Sequence, residues 1–231
     1  MKKLYLLFFV AFFVFSAKAQ RLTNDNIYTT YGNSSYIKNI AKMELVTESE
    51  YSKQIKTPVN YLKQVPVENY KNGIVLSLPC KDKVVRYVDD LVEGESYAQY
   101  RCIGMIEFLN VYLVEYVQWE ASGYLMVDMT TGEEVFNFEE YPYISKDQNV
   151  IVTIKQDPYE VSANIAFYTI KDRVISEVVS DNFEYWVPYY KKAIFWGKNN
   201  NLYIPAVHIN AYDSDKDLTQ NCQYIKISIK R

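Results

Sequence analysis

The chain has 231 residues with 25 basic and 28 acidic side chains, a formal net charge of −3, and 49% of its residues are hydrophobic. That charge balance argues against binding to nucleic acid or to an anionic membrane, both of which need clustered positive charge. Only 7 glycines occur and no glycine-rich phosphate loop is present, which argues against nucleotide cofactors.

The first segment reads as a cleavable signal peptide over residues 1–19. Lys2 and Lys3 form a positive start, Leu4 to Phe15 an unbroken apolar run, and Ala17-Lys18-Ala19 offers small residues at the two positions the peptidase inspects. A spanning helix needs about 20 apolar residues, and this run is shorter. No cysteine stands after the cleavage site, which argues against a lipid anchor, and no later stretch is apolar enough for a bilayer. Cleavage leaves Gln20 to Arg231, removes three lysines and no acid, and takes the net charge to −6. The expected location is therefore the periplasm or the extracellular space, with no membrane insertion after cleavage. A mature chain of this length suits one domain, or a small domain with an appendage, and is enough to bury a substantial core without staples.

Residues 20–72 read as an irregular lead-in. Asn, Thr, Ser and Tyr mix without periodicity until Thr47, which with Glu50 three residues on makes a capping box and predicts a short helix around 48–55. Pro58 and Pro66 punctuate the stretch after that helix.

Residues 73–231 read as an all-β domain of antiparallel meanders, in which short apolar runs alternate with polar turns. Strands are expected at 74–78, 84–88, 96–103, 111–119, 124–129, 134–138, 150–154, 164–170, 174–179, 193–196, 202–204 and 224–230. Hairpin turns are expected at 120–123 and 130–132, the second with Gly132 free to take a positive φ. In the last strand Ile225, Ile227 and Ile229 alternate with Lys226, Ser228 and Lys230, the pattern of a half-buried strand.

A weak repeat overlies these strands. Leu125 to Gly132 resembles Ile165 to Asp172 at an offset of 40, and after each comes a proline–aromatic element, Pro142-Tyr143 and Pro188-Tyr189, and then a polar turn. Over residues 110–210 the chain resembles the blade repeats of WD40-like and TolB-like β-propellers, and uncharacterised exported bacterial proteins with a few such blades. The resemblance implies a partial or small irregular propeller, with an irregular sandwich as the alternative, beside the short N-terminal helix read from the capping box. It implies no activity, because that fold hosts many functions.

Tyrosine dominates the composition, with 23 in the chain. Most lie in predicted strands, where they pair well across a sheet. The cluster Tyr185, Trp186, Tyr189 and Tyr190 is short and interrupted by proline, and is the candidate exposed ligand-binding surface. Asp213, Asp215 and Asp217 alternate as at the start of a calcium loop, but Leu218 stands where glycine is needed and Tyr224 where the bidentate Glu is, leaving a weak calcium candidate or a solvated loop. His208 is the only histidine, flanked by Val207 and Ile209, and reads as structural. No catalytic residue is assigned. Glu107, Glu115, Glu120 and Asp128 are acids in strand-rich segments whose spacing selects no pair. Cys80, Cys102 and Cys222 are an odd set; a Cys80–Cys102 bridge, worth about 3 kcal/mol in the chain-entropy account, and three unpaired thiols both remain open. No cofactor is expected.

The sequence supports three functional readings. The first is an exported, non-enzymatic β domain that binds a protein partner or a glycan through an aromatic surface. The second is a carboxylate-dependent hydrolase acting on a polysaccharide. The third is a structural or envelope-assembly scaffold.

Overall fold

The computed structural model describes residues 21–157, 162–212 and 218–230. The expected signal peptide and the acidic positions Asp213, Asp215 and Asp217 lie outside the described residues. The protein is mostly β, built from several antiparallel sheets with three α-helices among the described residues.

The N-terminal stretch is more ordered than its composition implies. Helix α1 (Ser34–Ile40) begins after Asn33, whose side chain accepts from the Ser35 N–H, and buries Ile37. Strand β1 (Ala41–Val46) leads to α2 (Glu48–Gln54), the expected helix, with the Thr47 hydroxyl accepting from the Glu50 N–H at 3.2 Å. Short strands β2 (Pro58–Val59), β3 (Leu62–Lys63) and β4 (Lys71–Asn72) come after it.

Next come β5 (Val75–Pro79), β6 (Val84–Val88), β7 (Ala98–Ile106), β8 (Val111–Gln118), β9 (Ser122–Asp128) and β10 (Glu134–Phe138). The remaining strands are β11 (Tyr143–Ile144), β12 (Val150–Asp157), β13 (Ser162–Lys171), β14 (Val174–Phe183), β15 (Trp186–Pro188), β16 (Phe195–Gly197) and β17 (Asn201–His208). Helix α3 (Ile209–Tyr212) and β18 (Gln223–Ile229) complete the chain. Every strand expected from alternation is found within a few residues of its expected bounds.

Four sheets result, and all their pairings are antiparallel. Strands β4, β5 and β6 form a three-stranded sheet; β10, β9, β8, β7 and β3 a five-stranded one; β11 to β14 a four-stranded one. The last sheet runs β1-β18-β17-β16-β2, with β15 also on β17. The lead-in is therefore not a separate region: β1 and β2 complete the C-terminal sheet, β3 the five-stranded sheet and β4 the three-stranded one. The reason is visible in β1, where Met43 opposite Ile227 and Leu45 opposite Ile225 put apolar side chains on the buried face of β18.

The repeat has a structural counterpart. Its two copies are the third strands of successive meanders, β9 in β7–β10 and β13 in β11–β14, and the two proline–aromatic elements lie at the start of β11 and the end of β15.

The largest core joins the C-terminal sheet to the inner face of the four-stranded one, through Trp186, Trp196, Phe167, Phe183 and Ile225. A second core lies between the four- and five-stranded sheets, and a third between the five- and three-stranded sheets. Gly104 sits at the bulge of β7, where a Cβ would stand 2.6 Å from the Lys63 carbonyl oxygen, so only glycine lets β3 dock there. The three cysteines are unpaired thiols: Cys102 is buried and Cys80 packs against the same third core, so the Cys80–Cys102 bridge is not formed.

Candidate functional site

The site is built from the outer face of the four-stranded sheet. Because side chains alternate along a strand, register places Asn164, Ala166 and Tyr168 of β13 on one face with Thr153 and Lys155 of β12 and with Glu177, Ser180 and Asn182 of β14. The opposite face, with Val152, Ile154, Ile165 and Phe167, is committed to the largest core. At one end of the outer face, Ala166 and Tyr168 are covered by Phe136 and Phe138 of β10; the Tyr168 ring lies 5.5 Å from Phe136 and 5.1 Å from Phe138, both edge-on. At the other end the two sheets part. They leave a groove of about 390 Å³, lined by Asn137, Glu139 and Glu140 on one wall and by Lys155, Asn164 and Asn182 on the other.

Its polar groups are set in place by one another. The Asn164 amide donates to Ser180 Oγ at 3.1 Å and to Asn182 Oδ1 at 2.8 Å, which fixes three side chains across two strands. Lys155 Nζ donates to Glu139 Oε2 at 2.8 Å across the groove. Burial pushes the Glu140 carboxyl above its usual value, opposed by the Lys155 charge and reinforced by that of Glu139.

Glu140 also begins a belt of tyrosines. The chain leaves β10 through Glu139-Glu140 and enters β11 through Tyr141-Pro142-Tyr143, so Tyr141 and Tyr143 are two residues apart and stand with ring centroids 5.0 Å apart. Tyr124 meets Tyr141 edge-on at 5.6 Å and donates to Glu115 Oε1 at 3.3 Å. Burial, with the Glu115 and Glu140 charges, pushes the Tyr124 phenol up to about 12. Tyr143 and Tyr190 are also pushed up, by burial first and by neighbouring phenols and Glu140 next. Below the belt, β2, β3, β11 and β16 converge on a mostly apolar cleft of about 230 Å³ lined by Tyr61, Leu62, Tyr141, Tyr143, Phe195 and Trp196.

The aromatic cluster expected at 185–190 is not a shared exposed surface. Trp186 is 0% exposed, with its indole N–H donating to the Ile27 carbonyl at 3.3 Å. Tyr189 is buried with its hydroxyl 3.0 Å from Thr219 Oγ1, and Tyr185 is half-buried with its ring 5.9 Å from His208. Only Tyr190 is exposed, at 52%, and it donates to the Ile154 carbonyl. The reason is that 186–188 form β15 and pair with β17, which carries the segment into the main core.

The four acids considered from sequence are dispersed. Glu107 pairs with Lys63, Glu115 with Arg101, Asp128 with Arg173 and with the turn N–H groups of Thr130 and Thr131, and Glu120 sits in the β8–β9 turn. His208 is buried, as expected for a structural residue. Sequence reasoning missed Glu139, Glu140, Asn164 and Asn182. The alternation Asn164-Ala166-Tyr168 is a readable signal for a mixed face, but the neighbours that make it a groove come from other strands. Among the described residues no group of His, Cys, Asp and Glu is placed to hold a metal ion.

Comparison with family models, with curated proteins and with solved structures gives no match.

Proposed function

We propose that the protein is an exported binding module that takes a neutral, hydroxyl-rich ligand, a glycan, in the groove between the four- and five-stranded sheets. The observation that carries this is the Asn164–Ser180–Asn182 ladder beside Phe136 and Tyr168. Amides and hydroxyls offer donors and acceptors in fixed positions, and adjacent rings offer apolar flanks, which is the chemistry a sugar surface requires. The groove lies within the roughly 300–1,000 Å³ range of small-ligand sites. Its acids and the net charge argue against an anionic polymer. Export is supported by the pattern at residues 1–19. A blade-like architecture of propeller type is supported by four successive antiparallel sheets and by the N-terminal strand completing the C-terminal sheet.

A second reading, hydrolysis of a polysaccharide, is favoured by Glu140, whose raised pKa suits a general acid and which lines the groove beside a second carboxylate. One experiment separates them. Titration with neutral oligosaccharides, monitored by calorimetry and by assay of released reducing ends, is expected to give saturable binding without turnover. Asn164→Ala weakens that binding about tenfold, by releasing Ser180 and Asn182 from the positions its amide fixes, with circular dichroism confirming the fold. Turnover abolished by Glu140→Gln would establish the second reading, and no saturable binding at millimolar ligand would sink both.

A further inference from the structure

Of the three tryptophans, Trp186 and Trp196 lie in the main core, whereas Trp119 is 56% exposed. A large ring left in water forgoes the burial its size ordinarily supplies, and its setting defines what fits over it. Two turns lie side by side there. In the β8–β9 turn the Gln118 N–H donates to the Ala121 carbonyl at 2.6 Å. In the β6–β7 loop Asp90 and Ala98 exchange both backbone hydrogen bonds, at 2.9 and 2.8 Å, and the Tyr97 N–H donates to the Gly94 carbonyl at 3.0 Å. Gly94 has φ +130°, which favours glycine at that bend. Ala98 also pairs with Gln118, which joins the loop to the turn. Between them is an open hollow of about 430 Å³ whose lining includes Glu95, Ser96, Tyr97, Gln118, Trp119 and Glu120.

The charge of this hollow has one sign. Residues 90–97 and 117–122 together hold Asp90, Glu93, Glu95 and Glu120 and no base. Bases on adjoining strands are committed to other acids: Lys71 donates to Asp89 at 2.6 Å and Arg101 to Glu115 at 2.9 Å. Among the described residues Glu95 and Glu120 make no ion pair. Aromatic faces attract cations through their quadrupole, and carboxylates do so through their charge. A hollow lined by two aromatic residues and two unpaired carboxylates, with no base, is therefore complementary to a cation. Leu91, Val92 and Val117 are exposed in the same two segments and add apolar surface around it.

We propose that this hollow docks an arginine side chain on a basic segment of a partner polypeptide. The guanidinium lies over the Trp119 ring and donates to Glu95 and Glu120. Arginine fits better than lysine because its planar head stacks on a ring while its N–H groups reach carboxylates at the edge, which a compact ammonium does not do. The pinned loop and the tight turn present these groups without a large ordering cost on binding. The proposal is independent of the glycan groove, with which the hollow shares no lining residue.

The test is calorimetric titration of the purified protein with acetylated hexa-arginine amide. Saturable binding is expected, weakening about tenfold between 50 and 500 mM salt. Trp119→Ala, which leaves the charge unchanged, and Glu95→Gln/Glu120→Gln are each expected to weaken it about fivefold, with circular dichroism confirming their fold. Glu68→Gln/Glu133→Gln removes the same charge from exposed acids elsewhere and is expected to leave binding unchanged. Hexalysine is expected to bind about fivefold more weakly than hexa-arginine. The proposal is overturned by the absence of saturable binding, by binding indifferent to Trp119→Ala, or by equal losses in the two double variants, which would show attraction to the whole acidic surface. Hexalysine binding as tightly as hexa-arginine overturns the assignment to arginine.

Discussion

His208 lies at the end of β17 with 2% exposure, and its Nδ1 accepts from the Asn210 N–H at 3.2 Å. The proton of the neutral ring is therefore on Nε2, which has no partner among the described residues. Burial holds its pKa below the ordinary histidine value, so the folded protein resists protonation that the unfolded chain accepts. The stability this neutral ring contributes is full above about pH 6.5 and is lost as the pH falls toward the folded value. Glu140 acts in the opposite sense: its raised pKa favours the neutral acid in the fold, and that contribution fades as the pH rises through and above 4.5. The urea midpoint is expected to fall between pH 7 and pH 5 in the wild type and to fall less in His208→Gln. Equal slopes would show that the histidine plays no part. Burial of the ring was legible from its apolar neighbours; the absence of a partner for Nε2 depends on strands that approach from elsewhere.

At the scale of elements, α2 shows a local signal and its tertiary use together. The Thr47 cap and Glu50 specify where the helix starts. Its role is to carry Tyr51, which stacks on Tyr224 of β18 at 4.4 Å and meets Phe195 of β16 edge-on at 5.3 Å, while Glu48 accepts from the Tyr224 hydroxyl at 2.8 Å. Thr47→Ala is expected to cost about 1 kcal/mol by loss of the cap, read from urea unfolding; no change would mean that packing alone positions the helix. The twelve expected strands were legible because alternation and turn chemistry act over a few residues. Strand β15 was misread for the same reason. Tyr185-Trp186-Val187-Pro188 has no alternation, and an unbroken apolar run reads equally as a buried strand or an exposed patch until its partner β17 is known.

At the scale of the molecule, an early strand is joined to the last one. Strand β1 pairs with β18 along six residue pairs, so the first described strand and the last share a core. Met43, 2% exposed, packs there, and Met43→Ala is expected to cost about 2–5 kcal/mol, whereas Val178→Ala on the exposed edge of β14 should stay within about 0.5 kcal/mol. Equal effects from both variants would show that the N-terminal strand is dispensable. Arg173 makes a second long-range tie, from the β13–β14 turn to Asp128 at 2.9 Å and to the Leu109 carbonyl, holding the four-stranded sheet against the five-stranded one. The candidate groove exists because these two sheets meet at one end and part at the other.

The amino-acid sequence alone determined the class of the protein, the places of most of its strands and of one helix, and the export-type pattern at its start, because each rests on neighbours within a turn or a strand. Only the tertiary structure decided that Trp186 is core and Tyr190 surface, that residues 41–46 complete the last sheet, and that Glu139, Glu140, Asn164 and Asn182 share one groove. Those outcomes depend on which strands pair and which sheets face each other, contacts between residues far apart in the chain that no local pattern encodes.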